Sequence, residues 1–233
     1  MSGDAPPADL KARIKTSYDA IADVYNEWTK KHSDLRSRYL AQFIEHLPAA
    51  AAAATAETGT PAPTRILELG CGAGEPSTRT LAARPNTHVI GNDLSSAQIA
   101  LARAHAATEW TLGAGSSVEF AEGDMADAAV LDFAPGSLDG VVALYSLFHL
   151  PREEQTAMMA RTVEWLRPGG LLLATFSGAA AEAVVMEKWL REEDWMFWSG
   201  WGREGTLERL GAAGFEVVVE ALEEENVDVD FCG

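Results

Sequence analysis

The sequence predicts an α/β fold built on a doubly wound, mostly parallel sheet with helices on both faces. Short β-rich runs alternate with helical runs from Arg65 onward, the central runs are almost wholly apolar, and three glycines follow the first run. Such alternation is typical of parallel strands joined by crossover helices. With 233 residues, 47 % of them hydrophobic, the chain is long enough for one main domain with a full core.

Residues 1–63 are predicted to form an N-terminal helical cap and a linker, followed by the main domain at 64–233. Apolar residues at helical spacing predict two or three amphipathic helices between residues 8 and 47. The first of these has an apolar stripe formed by Ile14, Ile21, Val24 and Trp28. Small residues closed by prolines predict a frayed helix end and a surface loop at 48–63.

Five strands are predicted in the main domain, each from a short β-rich or apolar run. The runs are RILEL, THVIGND, SVEFAEGD, LDGVVALYSL and GLLLATFS. Of these, VVALYSL and LLLATF are apolar enough to be buried on both faces. Helices are predicted at 75–84, 96–107 and 152–166, and a last β segment is predicted to begin at Phe215.

The turn after the first strand is a candidate ligand site because Gly70, Gly72 and Gly74 are concentrated there. Glycine lets the backbone turn tightly and approach a ligand closely, and ligands of doubly wound sheets bind at the carboxyl ends of the strands. Such turns also occur merely to pack a helix onto a sheet. The glycines alone therefore leave both interpretations open.

Two aspartates at the same sheet edge favour a nucleoside. Asp93 ends the second strand, where a carboxylate can accept hydrogen bonds from both ribose hydroxyls. Asp124 ends the third, where it can accept from the exocyclic amine of an adenine while Met125 covers the ring. Each aspartate alone could be an ordinary helix N-cap. Their common location favours the nucleoside interpretation.

Carboxylates near the turn argue against a pyrophosphate. The spacing is Gly-x-Gly-x-Gly, and Glu75 stands where the third glycine of a dinucleotide-binding motif would be. Glu68 on the strand adds a second negative charge. The predicted ligand is therefore a nucleoside without phosphate, and a cationic one would suit these carboxylates.

Composition excludes several other classes. The net charge of −17 would repel a phosphate backbone, so no nucleic-acid partner is predicted. Neither a membrane span nor a secretory core is found, so we expect a cytoplasmic protein without a membrane partner. Cys71 and Cys232 are the only cysteines, so neither a disulfide framework nor a metal site is predicted. The sequence does not decide the oligomeric state.

The motifs together resemble the class I S-adenosylmethionine-dependent methyltransferases, particularly those that act on small molecules. LELGCGAG is similar to the first motif of that family, VIGNDLSSAQIALAR to the ribose segment, and AEGDM to the adenine motif. LDGVVALYSLFHLPREE and LRPGGLLLATF resemble the fourth and fifth strands, so the resemblance covers roughly residues 65–177. It implies a Rossmann-like domain whose sheet has seven strands or is shortened.

The resemblance also implies the cofactor, S-adenosylmethionine, with S-adenosylhomocysteine as product. The glycine turn would hold the methionine portion of the cofactor. The residues implied to bind the cofactor are Tyr25, Glu68, Gly70, Cys71, Gly72, Asp93, Leu94, Asp124, Met125 and Leu144.

The acceptor site is predicted from residues around the fourth strand, the first helix and the aromatic-rich insertion at 178–203. His149 is a candidate general base, although a histidine there can instead serve structure. Aromatic side chains either cover the ligands or pack the core, and those of the insertion could also form a dimer contact. The candidate acceptor-binding residues are Tyr18, Trp28, Tyr145, Trp195 and Trp198.

The predicted function is methyl transfer to a small organic acceptor, apolar or aromatic. A nicotinamide-dependent reductase is the enzymatic alternative, disfavoured by Glu75. A cofactor-binding partner protein without catalysis is the alternative from another class.

Overall fold

The structure, a computed structural model, describes residues 5–47, 62–191 and 194–223. Helices alternate with strands along the main domain, as the sequence predicts. The helices are α1 Leu10–Lys31, α2 Asp34–His46, α3 Ser77–Ala82, α4 Ser96–Thr108, α5 Arg152–Trp165 and α6 Gly202–Ala213. The strands are β1 Thr64–Leu69, β2 Thr87–Asp93, β3 Ser117–Glu122, β4 Leu138–Ala143, β5 Leu166–Ala174, β6 Ala180–Glu187 and β7 Trp195–Trp201. A short 3-10 helix follows β4 at Leu147–His149.

The main sheet is parallel throughout, with strand order β3-β2-β1-β4-β5. The order reverses beside β1, so the carboxyl ends of β1 and β4 diverge into a crevice at the point where ligands of such sheets bind. Within the described residues this sheet has five strands, which corresponds to the shortened form of the predicted fold. β6 and β7 pair with each other as a separate antiparallel sheet.

The two N-terminal helices have different places in the core. Leu40 and Phe43 of α2 pack with Ile66 and Val142 on one face of the main sheet. Gly140 of β4 makes this possible, because a Cβ there would lie 2.6 Å from Phe43 Cζ. α2 is therefore part of the core of the main fold.

Helix α1 instead packs against β7 and α4. Leu10 and Ile14 are buried with Trp195 and Phe197 of β7. Asp19 fixes α1 to the start of α4, accepting hydrogen bonds from Ser95 Oγ (2.6 Å) and Ala97 N (3.0 Å). Because α4 follows β2, this contact holds α1 near the carboxyl edge of the sheet.

Three sequence predictions about burial and strands are wrong in the described residues. Val24 is exposed, because the buried stripe of α1 runs through Leu10, Ile14 and Ile21. The apolar part of β5 is only half-buried, because β5 is an edge strand. Residues 215–223 form no strand; ion pairs of Glu220 with Arg203 and of Glu223 with Arg38 hold this segment instead.

Two other expectations concern residues that the structure leaves out. The predicted loop at 48–63 falls almost wholly outside the described residues, as does the end of the last β segment. Within the described part of the chain, none of the helices combines the length and the apolar character required to cross a bilayer.

Candidate functional site

The glycine turn begins where β1 ends. Gly70 and Gly72 have φ values of +72° and +55°, which favour glycine. A Cβ at Gly70 would lie 2.3 Å from the Cβ of Ser146, so a side chain at this position would collide with the loop after β4. Asn92 O accepts hydrogen bonds from the amides of Gly70 and Cys71, at 2.8 Å each. The turn is therefore fixed by its neighbour strand before any ligand binds.

Two adjoining cavities flank this turn. The larger, of about 640 Å³, runs from Asp124 past Asp93 to His149. We call it the nucleoside cavity. The smaller, of about 380 Å³, lies between the turn and the N-terminal helices and is lined by Glu68 and Arg36. We call it the tail cavity. The residues that line both are Tyr25, Gly70, Gly72 and Leu144.

The structure brings together every residue predicted to bind the cofactor. Leu94, Met125 and the two aspartates line the nucleoside cavity, while Glu68 and Cys71 line the tail cavity. The rest of the predicted set lines both. These residues come from the ends of β1, β2, β3 and β4 and from α1.

Asp93 is held by backbone amides at the end of β2. Its Oδ2 accepts from Gly72 N at 2.8 Å and its Oδ1 from Ser95 N at 2.9 Å. Removal from water raises the pKa of Asp93 to about 6, although these two hydrogen bonds oppose the rise. Each carboxylate oxygen can accept a further hydrogen bond, so Asp93 can still bind a pair of hydroxyls.

Asp124 is bridged to α1 by a lysine. Lys11 Nζ donates to both oxygens of Asp124, at 2.8 and 3.0 Å, and to Glu154 Oε2 at 2.6 Å. Asp124 Oδ1 also accepts from Ala126 N at 2.9 Å. A ligand that uses Asp124 must therefore bind beside Lys11 or displace it.

Glu68 is buried at the end of β1, 4 % exposed, and accepts a hydrogen bond from the Thr78 hydroxyl. Burial raises the pKa of Glu68 to about 8, while hydrogen bonds from Thr78 and Ser77 act in the opposite direction. The carboxyl is therefore mostly protonated at pH 7. A cationic ligand group in the tail cavity would favour its ionised form.

His149 and Tyr18 form a hydrogen-bonded pair in the nucleoside cavity. His149 Nδ1 lies 2.8 Å from the carbonyl oxygen of Phe197, which can only accept, so Nδ1 carries the proton. Nε2, 3.0 Å from Tyr18 Oη, is therefore the acceptor for the tyrosine hydroxyl. Removal from water lowers the pKa of His149 to about 4 and raises that of Tyr18 well above its usual value. Both side chains are neutral at pH 7.

Aromatic side chains surround this pair. Trp189 lies at the centre, with ring centroids 5.6 Å from Tyr25, 6.2 Å from Tyr18 and 6.1 Å from Trp28. Trp198 lies 6.3 Å from Trp189. We call these five residues the aromatic cluster. It joins α1 to the aromatic-rich insertion beside the cavities.

In the structure, the predicted acceptor-binding residues lie in three different surroundings. Tyr18 and Tyr145 line the nucleoside cavity. Trp28 and Trp198 belong to the aromatic cluster and do not line either cavity. The assignment of Trp195 to the acceptor site is corrected by its surroundings. Trp195 is 7 % exposed, packs with Phe197 under α1 and has the Arg13 guanidinium 3.9 Å from its ring centroid. Its place in the core excludes it from the cavity wall.

Sequence reasoning missed several residues that line the cavities. Arg36, Asn26 and Thr29 line the tail cavity, and Lys11 and Gln98 line the nucleoside cavity. A signal existed for Arg36, which lies on the same face of α2 as Leu40 and Phe43 and is therefore a charged residue on an apolar stripe. For the others the sequence offers no comparable signal.

Two kinds of comparison with known proteins agree with this geometry. Residues 66–170 match the family described as "Methyltransferase domain". Methyltransferase GfsG of Streptomyces halstedii is 35 % identical over 121 residues, which cover 52 % of this chain and 38 % of the relative. The 27-O-demethylrifamycin SV methyltransferase of Amycolatopsis mediterranei (strain S699) is 36 % identical over 108 residues, or 46 % and 36 % of the two chains. The chain thus spans less than half the length of these curated relatives.

A solved structure extends the likeness over most of the chain. The structure of a DhpI–SAH complex superposes with a TM-score of 0.61 and 22 % identity, covering 89 % of each chain. At this identity the likeness establishes the fold.

Proposed function

We propose that the protein is a class I S-adenosylmethionine-dependent methyltransferase that transfers a methyl group to a small organic acceptor, since residues 66–170 match the family described as "Methyltransferase domain". The observation that carries the proposal is the convergence of the glycine turn, Asp93, Asp124 and the His149–Tyr18 pair on one cavity. In a doubly wound sheet, these strand ends are where a nucleoside and its reaction partner meet.

The lining residues fit S-adenosylmethionine. Asp93, Asp124 and Met125 line one cavity, where Asp93 would accept from the ribose hydroxyls and Asp124 with Met125 would bind the adenine. Gln98 is 1 % exposed, and within the described residues neither its Oε1 nor its Nε2 has a hydrogen-bond partner. A buried amide of this kind is costly unless a ligand satisfies it. When bound, the cofactor supplies a methyl group on a positively charged sulfur that is already a good leaving group.

The chain's own contribution at the acceptor is to exclude water and to take a proton. Tyr18 donates its hydroxyl proton to His149 Nε2, so its oxygen is free to accept the proton of an acceptor hydroxyl. Because the pKa of His149 is about 4, the pair is a weak base at pH 7. It therefore suits an acceptor that is itself acidic, such as a phenol. The nearby aromatic cluster favours an aromatic ring at the same place.

The name of the Amycolatopsis relative supports an oxygen acceptor, since it gives 27-O-demethylrifamycin SV as the molecule acted on. The reductase alternative is disfavoured by Glu75, whose carboxylate accepts from Trp110 Nε1 at 3.1 Å and is thereby kept at the tail cavity, where it would repel a pyrophosphate. A cytoplasmic location and the absence of nucleic-acid and membrane partners stay proposals, based on the net charge and composition.

Ligand binding tests the cofactor assignment. S-adenosylhomocysteine at about 100 times its Kd should stabilise the protein by about 2.7 kcal/mol in thermal unfolding, and NADPH should not. Asp93→Ala should weaken S-adenosylhomocysteine binding by roughly 1.5 to 3 kcal/mol, because a charge-assisted pair of hydrogen bonds is lost. Asp132→Ala, an exposed aspartate, is the matched control. Stabilisation by NADPH alone would favour the reductase.

Turnover tests the transfer itself. We expect S-adenosylhomocysteine to accumulate when the protein is incubated with S-adenosylmethionine and a panel of phenols, aliphatic alcohols and amines, with the phenols most active. Tight cofactor binding without turnover on the whole panel would favour the partner protein without catalysis.

A further inference from the structure

Strand β6 has an apolar edge that takes no part in the candidate site. Among the described residues its only strand partner is β7, so the other edge of this two-stranded sheet is unpaired there. Val184, Val185 and Met186 follow one another on β6 and are 38, 46 and 43 % exposed. An exposed apolar edge is a template for pairing with another strand, and native proteins usually protect such edges with charges or a covering segment.

The backbone groups of Val185 point towards this unpaired edge. Lys188 N donates to Asp194 O at 2.7 Å, so these two residues form a hydrogen-bonded pair of the antiparallel ladder. Hydrogen-bonded pairs alternate with pairs that exchange no hydrogen bonds, and the pair of Val185 with Phe197 lies three positions further along. The amide and the carbonyl of Val185 are therefore directed away from β7, towards a strand that would add to β6.

The sequence of β6 is complementary to itself in the antiparallel sense. Opposite charges stand three residues on either side of Val185, with Glu182 before it and Lys188 after it. When two copies of the strand pair with Val185 opposite Val185, Glu182 of each copy faces Lys188 of the other, and Val184 faces Met186. A shift of the centre by one residue in either direction would place both charges opposite apolar side chains.

The exposed part of β6 is regular enough for this pairing. The irregularity in the β6–β7 register lies between Ala181 and Val184, and residues 184–187 pair one by one with β7. Glu182 forms an ion pair with Arg152, which holds its carboxylate beside the start of the regular part. The Glu182 side chain is nevertheless 39 % exposed, so it is accessible to a lysine of a second copy.

We propose that two copies of the chain associate through β6, which pairs antiparallel with β6 of the second copy about a two-fold axis at Val185. The two β6–β7 sheets then form one four-stranded sheet. Each copy presents the same strand to the other, so the interface is isologous and closes at two copies. The inference goes beyond the proposed function and does not depend on it.

Sedimentation velocity of the full chain over a range of concentrations measures this association. About 0.15 M salt, with a Debye length of about 8 Å, limits the repulsion between two copies that each have a net charge of −17. The wild-type protein should pass from monomer to dimer as its concentration rises. Val185→Lys should raise the dissociation constant of the dimer roughly 10-fold or more, because it places two like charges opposite each other at the centre of the interface.

Val218→Lys is the matched control for this substitution. Val218 is 69 % exposed and lies outside the strands, so the dimer should persist in this variant. Circular dichroism and thermal unfolding establish that both lysine variants are folded.

Cysteine cross-linking tests the register, and it applies even if Val185→Lys does not fold. The experiment uses the chain with Cys232→Ser, which removes the native cysteine near the C-terminus. Val185→Cys should form a disulfide between two copies under mild oxidation, because the facing Cα atoms would lie about 5.5 Å apart. Val184→Cys should cross-link several-fold more slowly, because it faces Met186 and its own counterpart lies diagonally, about 7–8 Å away.

The results that would overturn the proposal are distinct. A monomer at all concentrations without cross-linking of Val185→Cys would refute it, and so would a dimer that persists in Val185→Lys or dissociates only in Val218→Lys. Equal cross-linking of the two cysteine variants would refute the register. A monomer whose Val185 amide is protected from hydrogen exchange would mean that another part of the same chain covers the edge, which also excludes pairing of two copies.

Discussion

Replacing Glu68 by glutamine should reduce the dependence of folding stability on pH. Burial raises the pKa of this carboxyl from 4.5 to about 8, so the folded protein keeps a proton that the unfolded chain loses. The free energy of unfolding therefore falls as the pH rises from about 4.5 towards 8. Glutamine cannot ionise, and its amide oxygen can still accept from Thr78. The free energy of unfolding of the variant should therefore not fall over this pH interval on account of position 68.

The size of the pKa shift of Glu68 sets the size of the effect on stability. One pKa unit corresponds to about 1.4 kcal/mol, so the difference between 4.5 and 8 amounts to about 5 kcal/mol in full. Roughly three quarters of this falls between pH 5 and pH 8. Relative to the wild type, Glu68→Gln should therefore gain several kcal/mol over that interval.

Urea unfolding without cofactor at pH 5, 6, 7 and 8 measures this difference. Glu208→Gln is the control, because the Glu208 side chain is 81 % exposed, and its pH dependence should match that of the wild type. Parallel curves for Glu68→Gln and the wild type would refute the argument. They would mean that Glu68 is ionised in the folded protein and that its burial does not raise its pKa.

Three further predictions concern the ligand, the proton acceptor and the docking of α1. Binding of S-adenosylhomocysteine at pH 7 should release up to about one proton from Glu68. This release is measured as a dependence of the calorimetric binding enthalpy on the ionisation enthalpy of the buffer, and Glu68→Gln should abolish most of that dependence. His149→Asn, which can still donate to Phe197 O, should lower kcat for a phenol about 100-fold and leave the cofactor affinity unchanged. In the wild type, the acid limb of the kcat/KM profile should lie near pH 4, and a limb near pH 6.5 would contradict this assignment. Burial alone would raise the pKa of Asp19, but hydrogen bonds from Ser95, Ala97 and Lys15 lower it below 3.8. The ionised Asp19 therefore stabilises the folded protein at neutral pH, and this stabilisation is lost as the pH falls through the lowered pKa. Asp19→Asn should therefore destabilise the protein by about 1 kcal/mol at pH 7 and by less under acid conditions, and equal destabilisation at both would argue against a charge effect.

The sequence predicted the sheet and most of the cavity lining because both depend on local patterns. Apolar runs bounded by turns locate β1, β2 and β4, and a parallel sheet necessarily brings their carboxyl ends to one edge. The prediction that Asp93 and Asp124 lie at the same edge of the sheet follows directly from that rule. Their distance from each other along the chain is irrelevant, since the sheet brings them together.

The errors come from contacts between distant segments. Strand alternation places Trp195 and Phe197 on one face of β7, against α1, whereas the sequence analysis gave Trp195 together with Trp198 as candidate acceptor-binding residues. Trp189, before that strand, instead lies nearest to Tyr25 and Trp28 of α1, with ring centroids 5.6 and 6.1 Å away. Which partner a tryptophan meets is decided by the packing of α1 on the β6–β7 sheet, and no local pattern encodes that.

The apolar run after Phe215 shows the limit of strand propensity. Val217, Val218 and Val219 favour a strand, yet they are exposed and unpaired in a ladder within the described residues. A strand requires a partner edge in the correct register, and propensity alone does not supply one. The neighbouring glutamates Glu220 and Glu223 form ion pairs with α6 and α2 instead.

The bridge from Lys11 to Asp124 and Glu154 bears on the order in which the protein is completed during synthesis. Its partners lie 113 and 143 positions later in the chain, so α1 leaves the ribosome long before the residues that it will contact exist. The packing partner of α1 in the core, β7, ends later still, at Trp201. The residues that line the two cavities run from Lys11 to Leu150, so the site cannot be complete before Leu150 has been made, and α1 gains its core packing only after β7 has followed. During synthesis, α1 is therefore the part of the site whose partners are all made after it.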